Sequence, residues 1–314
     1  MSLESKIHIL KDRAHMFQKV RHFFSQKNIM EVDTPMLGKA APIDMHIDVM
    51  TIPFKDGKKG FLHTSPEYAM KRLLSMGCPD IYQMSHVFRD GEIGDFHNPE
   101  FSMVEWYRLG VPFDSLIEET LEFILLFLEN VKTSYFSYRE AFIEFANVDY
   151  VTATTDDLIA CCKKHQMHLP KDAGLWTKDT LLQFIMGFII EPKLQTLTVI
   201  KDFPATQSAL AQTIMKKDEP VAERFEVYFK GTELANGFHE LTDPVEQRKR
   251  LHEQNCFRKK MGKEELPLDE NFLKALEKGL PDSCGVAIGF DRLMLLRHKK
   301  KKLEDILPFS WETL

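Results

Sequence analysis

The stretch Phe88 to Arg108, FRDGEIGDFHNPEFSMVEWYR, constrains this chain more than any other. Two runs rich in apolar and β-forming residues, Tyr82 to Phe88 and Met103 to Tyr107, flank a polar loop with Gly91, Gly94 and Pro99. That order predicts an antiparallel hairpin, and the bias to extended backbone before Pro99 suits its return strand. The polar content asks for more than a hairpin. Arg89, Glu92, His97, Asn98, Glu100 and Glu105 crowd one small sheet, and such groups are seldom buried without partners. Either the hairpin is solvated with charged edges, or it is a binding site.

The rest of the chain narrows the choice. Its 314 residues, 44% of them hydrophobic, suffice for one large domain with an insertion. A net charge of −6 poorly suits a protein whose main task is to hold nucleic acid. The five cysteines are odd in number, Cys161 and Cys162 are adjacent, and no Cys-x-x-Cys pair occurs. A disulfide framework and a zinc ribbon are disfavoured, and a reducing compartment fits. The longest near-apolar run, Leu181 to Ile190, is too short for a bilayer. The expectation is a cytoplasmic protein with no membrane partner.

Ile7, Leu10, Ala14, Phe17, Val20 and Phe24 recur at helical spacing, predicting an amphipathic helix before a short strand at Glu31–Pro35. Ser65-Pro66-Glu67 then opens a second helix, with Ser65 as N-cap and Pro66 in its first position. From about 134 to 192 the patterns are helical and carry no catalytic signature. In Gly231-Thr-Glu-Leu-Ala-Asn-Gly-Phe-His-Glu-Leu241, Asn236-Gly237 predicts a turn that brings Glu233 and Glu240 to one site. Two such carboxylates near phosphate oxygens suit Mg²⁺. Finally, Gly285-Val-Ala-Ile-Gly289 predicts a strand whose glycines let a ligand approach the backbone. Asp291 is expected to cap the helix carrying Arg292.

These pieces, in this order, resemble motifs 1, 2 and 3 of the class II aminoacyl-tRNA synthetases in their lysyl form, over nearly the whole chain. The resemblance implies an α+β fold: a class II catalytic domain over 1–314, with an antiparallel sheet flanked by helices and a helical insertion at about 134–192. Only 34 residues precede Pro35, too few for the five-stranded anticodon-binding barrel, so that domain is expected to be absent. Within the family the likeness is to short lysyl-tRNA synthetase paralogues that attach (R)-β-lysine to a lysine of elongation factor P.

The resemblance also implies roles. ATP would be held by Arg89, Asp90, Gly91, Glu92, His97, Asn98, Phe101, Glu233, Leu234, Gly289 and Arg292, with Mg²⁺ on Glu233 and Glu240. Ser65, Pro66, Glu67, Glu105, Tyr107, Asn236, Glu240 and Ala287 would receive the amino acid. Catalysis would rest on Arg89, Glu233, Glu240 and Arg292. The implied partners are elongation factor P, (R)-β-lysine and a second copy of the chain through the motif 1 region, with no stable tRNA complex. One departure stands out: motif 2 commonly reads Arg-x-Glu, and here the third position is Gly91, with Glu92 beside it. A lysyl-tRNA synthetase-like enzyme using α-lysine, a non-catalytic paralogue and an asparagine-making ligase remain as alternatives.

Overall fold

The hairpin forms as the sequence predicts: strand Ile81–Phe88 pairs antiparallel with strand Glu100–Leu109, from Ile81 opposite Tyr107 to Phe88 opposite Glu100. The structure is a computed structural model that describes residues 3–129, 131–170, 173–217 and 219–314. Lys171 and Asp172, inside the expected insertion, lie outside the described residues. The chain gathers into two units, one of residues 1–129 and 240–314, the other of residues 130–239.

In the first unit, Ser283–Gly289 adds antiparallel to Glu100–Leu109, and the short strand Met30–Glu31 adds parallel to Ile81–Phe88. A small three-stranded sheet is built from Leu37–Gly38, Lys59–Leu62 and Thr51–Pro53. Helix Leu3–Gln26 buries Ile9, Arg13, Met16, Val20 and Phe24. This differs from the expected stripe: Val20 and Phe24 are buried as predicted, but Ile7 and Ala14 are exposed. The reason is Arg13, a charged residue on the buried face, which apolar periodicity cannot register. Its guanidinium donates to Asp291 and, at 2.8 Å, to Ser102 Oγ. Asp291 also accepts from the Ser102 backbone N–H at 2.7 Å. Asp291 is therefore a buried counter-ion and not the expected cap; Gly289 holds the N-cap position of helix Phe290–Arg297.

In the second unit, Leu197–Pro204 pairs parallel with Thr133–Ser137 and antiparallel with Glu219–Phe229. The latter pairs antiparallel with Thr213–Lys216 and with Thr232–His239. The helical segments between Tyr138 and Lys193 bury Phe142, Leu158, Leu181 and Ile185 together with Ile200 and Phe203 of the sheet. The stretch expected to be helical from 134 thus begins as a strand. The expected turn at Asn236-Gly237 is also absent. Both residues lie inside strand Thr232–His239, Asn236 opposite Glu226 and Gly237 opposite Phe225. The turn is Lys230-Gly231, where φ is +51° and +69°, the left-handed pair that a two-residue hairpin demands. Among the described residues, no helix is long and apolar enough to cross a membrane.

Candidate active site

Arg89 leaves the end of strand Ile81–Phe88, and its backbone N–H donates to the Pro99 carbonyl at 2.9 Å, which closes the polar loop. Its guanidinium lies 5.1 Å from the centre of the Phe101 ring and 3.7 Å from the Glu92 carboxylate. The Nε atom is buried with no hydrogen-bond partner, a donor that fits an anionic oxygen. Gly91 has a φ of +73°, so a glutamate there would be strained; Glu92 instead turns its carboxylate back towards Arg89. The Asp90 N–H is tied to the Asp48 carbonyl at 2.8 Å.

Arg292 comes from the helix after Gly289 and lies 3.0 Å from His97 Nε2. Burial, then the positive charges of Arg292 and Arg89, lower the His97 pKa, so the imidazole is neutral at pH 7 and free to accept from the guanidinium. Two arginines and one neutral histidine suit a polyphosphate. A Cβ placed on Gly289 would meet only ordinary contact with the Arg292 stem. Asn98, expected at ATP, is occupied otherwise. Its Oδ1 accepts from the Trp311 N–H at 2.9 Å and its Nδ2 donates to the Glu100 carbonyl at 2.6 Å, pinning the loop to the C-terminal segment.

The second group gathers around Glu105. Ser65 accepts from the Glu67 N–H at 3.1 Å, and the Pro66 carbonyl takes the Met70 N–H at 3.0 Å. Pro66 and not the expected Ser65 thus holds the N-cap position of helix Glu67–Ser75, with no side-chain cap, so the expected start falls one residue early. The same Ser65 hydroxyl donates to Glu105 Oε2 at 2.7 Å, while Tyr107 donates to Oε1 at 2.7 Å. Gly285 lies opposite Tyr107 and Ala287 opposite Glu105. Directly paired residues share a face of the sheet, so Ala287 stands on the same face as this carboxylate. Glu240 is buried, its Oε1 near the position that a Gly285 side chain would take.

Lys71 was not singled out by the sequence. Its ammonium is 1% exposed and lies 2.6 Å from Glu67 Oε1 and 2.5 Å from Glu240 Oε2. The one available signal was its spacing, four residues after Glu67 and three before the buried Leu74, on one helix face. Desolvation works against its charge, but the two carboxylates outweigh this and raise its pKa.

Burial, then the charge of Glu67, push the Glu105 pKa up to about 8. At neutral pH this carboxyl is mostly protonated, and an arriving ammonium group must displace that proton. We expect kcat/KM for the amino acid to rise with pH towards about 8 and then level, and Glu105→Gln to abolish this limb. A pH profile of amino-acid-dependent ATP–pyrophosphate exchange checks it; a flat parent profile between about pH 6 and 8 would contradict it.

The remaining expected residues belong to the second unit. Glu233 and Asn236 are half-buried on strand Thr232–His239, and Leu234 is buried. Asn236 Oδ1 accepts from Arg224 Nε at 3.3 Å. Arg224 is paired in turn with Glu226 at 2.5 Å, a supporting arginine that sequence patterns did not reveal. The Asn-Gly turn expected to unite Glu233 with Glu240 does not exist, and Glu240 does not fit a Mg²⁺ ligand here, because its buried carboxylate is paired with Lys71.

Strand Glu100–Leu109 between Ile81–Phe88 and Ser283–Gly289, with arginines at one group and glutamates at another, defines a class. The chain belongs to the class II tRNA synthetase family of the D, K and N type, whose family model matches residues 2–313. The family implies use of ATP. Similar proteins include the elongation factor P–(R)-β-lysine ligase of Haemophilus influenzae Rd, 40% identical over 305 residues, covering 95% of this chain and 93% of that protein. The ligase of the same name from Edwardsiella ictaluri is 41% identical over 309 residues, with 95% and 93% covered. That of Vibrio parahaemolyticus is 41% identical over 317 residues, with 98% and 97% covered.

Proposed function

We propose that this chain is an ATP-dependent ligase that activates (R)-β-lysine as its adenylate and transfers it to a lysine side chain of elongation factor P. The observation that carries the reading is the group of glutamates around Tyr107, Glu105 and Glu240 buried and Glu67 half-buried. Such a group selects a cationic amino acid; an aspartate-activating site would need a free cation to receive the substrate. The names of the similar proteins supply the acceptor.

In the first step a substrate carboxylate oxygen attacks the α-phosphorus of ATP, and the bond to the β,γ-pyrophosphate breaks. In the second, the acceptor's neutral ε-amine attacks the adenylate carbonyl, AMP leaves and the amine loses its proton. Arg89 holds the α-phosphate, Arg292 and His97 the outer phosphates, and Phe101 the adenine, whose seat against that ring requires the Arg89 guanidinium to swing towards phosphate. The work is positioning and charge neutralisation. Glu233 remains as a candidate Mg²⁺ ligand, and no step is routed through the ion. Exposed Met30, Met36 and Leu37 support a homodimer through that region. The net charge of −6 argues against a stable tRNA complex. The short apolar runs and the lack of a disulfide among the described residues suit the cytoplasm.

ATP–pyrophosphate exchange with (R)-β-lysine and α-lysine tests the reading. Preference for the β isomer is expected; exchange with neither would refute it. Ala287 sharpens the test. Its methyl stands beside Glu105 on the pocket face, where it crowds an amino group adjacent to the carboxylate and admits one a carbon further out. Ala287→Gly should raise α-lysine activation relative to (R)-β-lysine by about tenfold or more, the size of a one-methyl discrimination. A kcat/KM ratio within about twofold of the parent would show that this residue does not set specificity.

A further inference from the structure

Lys71 has no part in the chemistry just described, yet it is the most buried cation of the site. It projects from helix Glu67–Ser75 and sits with its ammonium between Glu67 and Glu240. Both of these carboxylates belong to the proposed amino-acid pocket, and both are among the charges acting on Tyr107. Glu105, the third carboxylate, feels Lys71 as well as Glu67. A buried carboxylate without a partner is costly and tends to neutralise itself by taking a proton. Three carboxylates gathered around Tyr107 would repel one another and splay apart. A lysine side chain fixed at one end of the group offsets that repulsion by pairing with two of the carboxylates.

We propose that Lys71 is a positioning residue for amino-acid binding: a resident ammonium that occupies one seat among the glutamates, aims Glu67 and Glu240, and leaves the remaining negative charge for the substrate to neutralise. Its role resembles that of the ligand it helps to bind. A small alkylammonium ion therefore fits the space that the lysine head vacates.

The test is Lys71→Met in the full chain, with ethylammonium chloride as the probe and sodium chloride as the salt control. KM for (R)-β-lysine in pyrophosphate exchange should rise about tenfold or more, with a smaller fall in kcat. Millimolar ethylammonium should recover much of that loss and raise the melting temperature of the variant saturably, as a ligand of the native state does. The parent should show neither response. A fall in kcat at unchanged KM, or a variant indifferent to ethylammonium, would overturn the proposal. Should the variant not fold in buffer, its refolding yield in the two salts replaces the melting temperature, and equal yields would overturn the proposal. The exchange measurements rest on the proposed amino-acid activation, whereas the thermal and refolding measurements do not. A parent inactive with either lysine isomer would count against the proposed function and leave Lys71 to be decided by those two.

Discussion

Replacing Arg89 with alanine is expected to lower ATP–pyrophosphate exchange by about 10²–10³-fold, or roughly 3–4 kcal/mol of transition-state stabilisation. The geometry explains why the loss should be catalytic and not structural. The side chain hangs over the face of Phe101, a contact worth about 0.5–1 kcal/mol at a partly exposed site, and its ion pair with Glu92 is loose at 3.7 Å. The loop is closed by the backbone bond from Arg89 to Pro99, which alanine keeps. Arg89→Lys should fall between the two, because an ammonium restores the charge but not the planar fork that grips two phosphate oxygens. Single-turnover adenylate formation, beside circular dichroism to confirm the fold, measures this. Near-parental exchange by the alanine variant would remove Arg89 from the site.

Gly285→Ala should be nearly as damaging at the other group. A Cβ at this position would lie 2.4 Å from Tyr107 Cε1 and 2.5 Å from Glu240 Oε1. Neither neighbour can move freely: Tyr107 is bonded to Glu105 and Glu240 is paired with Lys71. The added methyl must therefore displace at least one of the groups that would receive the substrate. Overpacking of this kind costs about 1–3 kcal/mol of stability, and misplacement by about 1 Å can cost a hundredfold in rate. Thermal melting and the KM for (R)-β-lysine report the two effects separately. A variant with an unchanged KM would show that the face of Gly285 is not the pocket wall.

Much of this was legible in the sequence because local signals agreed with the tertiary demand. The hairpin around Arg89 combined β-forming runs, glycines and a proline, and its strands pair as those signals require. Ser65-Pro66-Glu67 marked the start of its helix to within one residue, Pro66 and not Ser65 taking the N-cap. What escaped reading was polar and buried. Arg13 broke the apolar stripe of the first helix because its partner, Asp291, is remote in sequence. Lys71 was not singled out because the glutamate that completes its burial, Glu240, is equally remote. The Asn236-Gly237 dipeptide gave a strong local turn signal, and strand pairing overrode it; the turn fell instead on Lys230-Gly231, where two left-handed residues were needed. Local pattern finds elements well, but it does not find partners distant in the chain.

The central claim, ligation of β-lysine to a protein, is tested most directly by intact-mass spectrometry of elongation factor P after incubation with this protein, ATP and (R)-β-lysine. The account predicts a gain of one lysyl residue on a single lysine side chain, dependent on ATP and accompanied by AMP, with α-lysine a poorer donor. An unchanged mass with both isomers, while the same preparation charges tRNA with lysine, would contradict it.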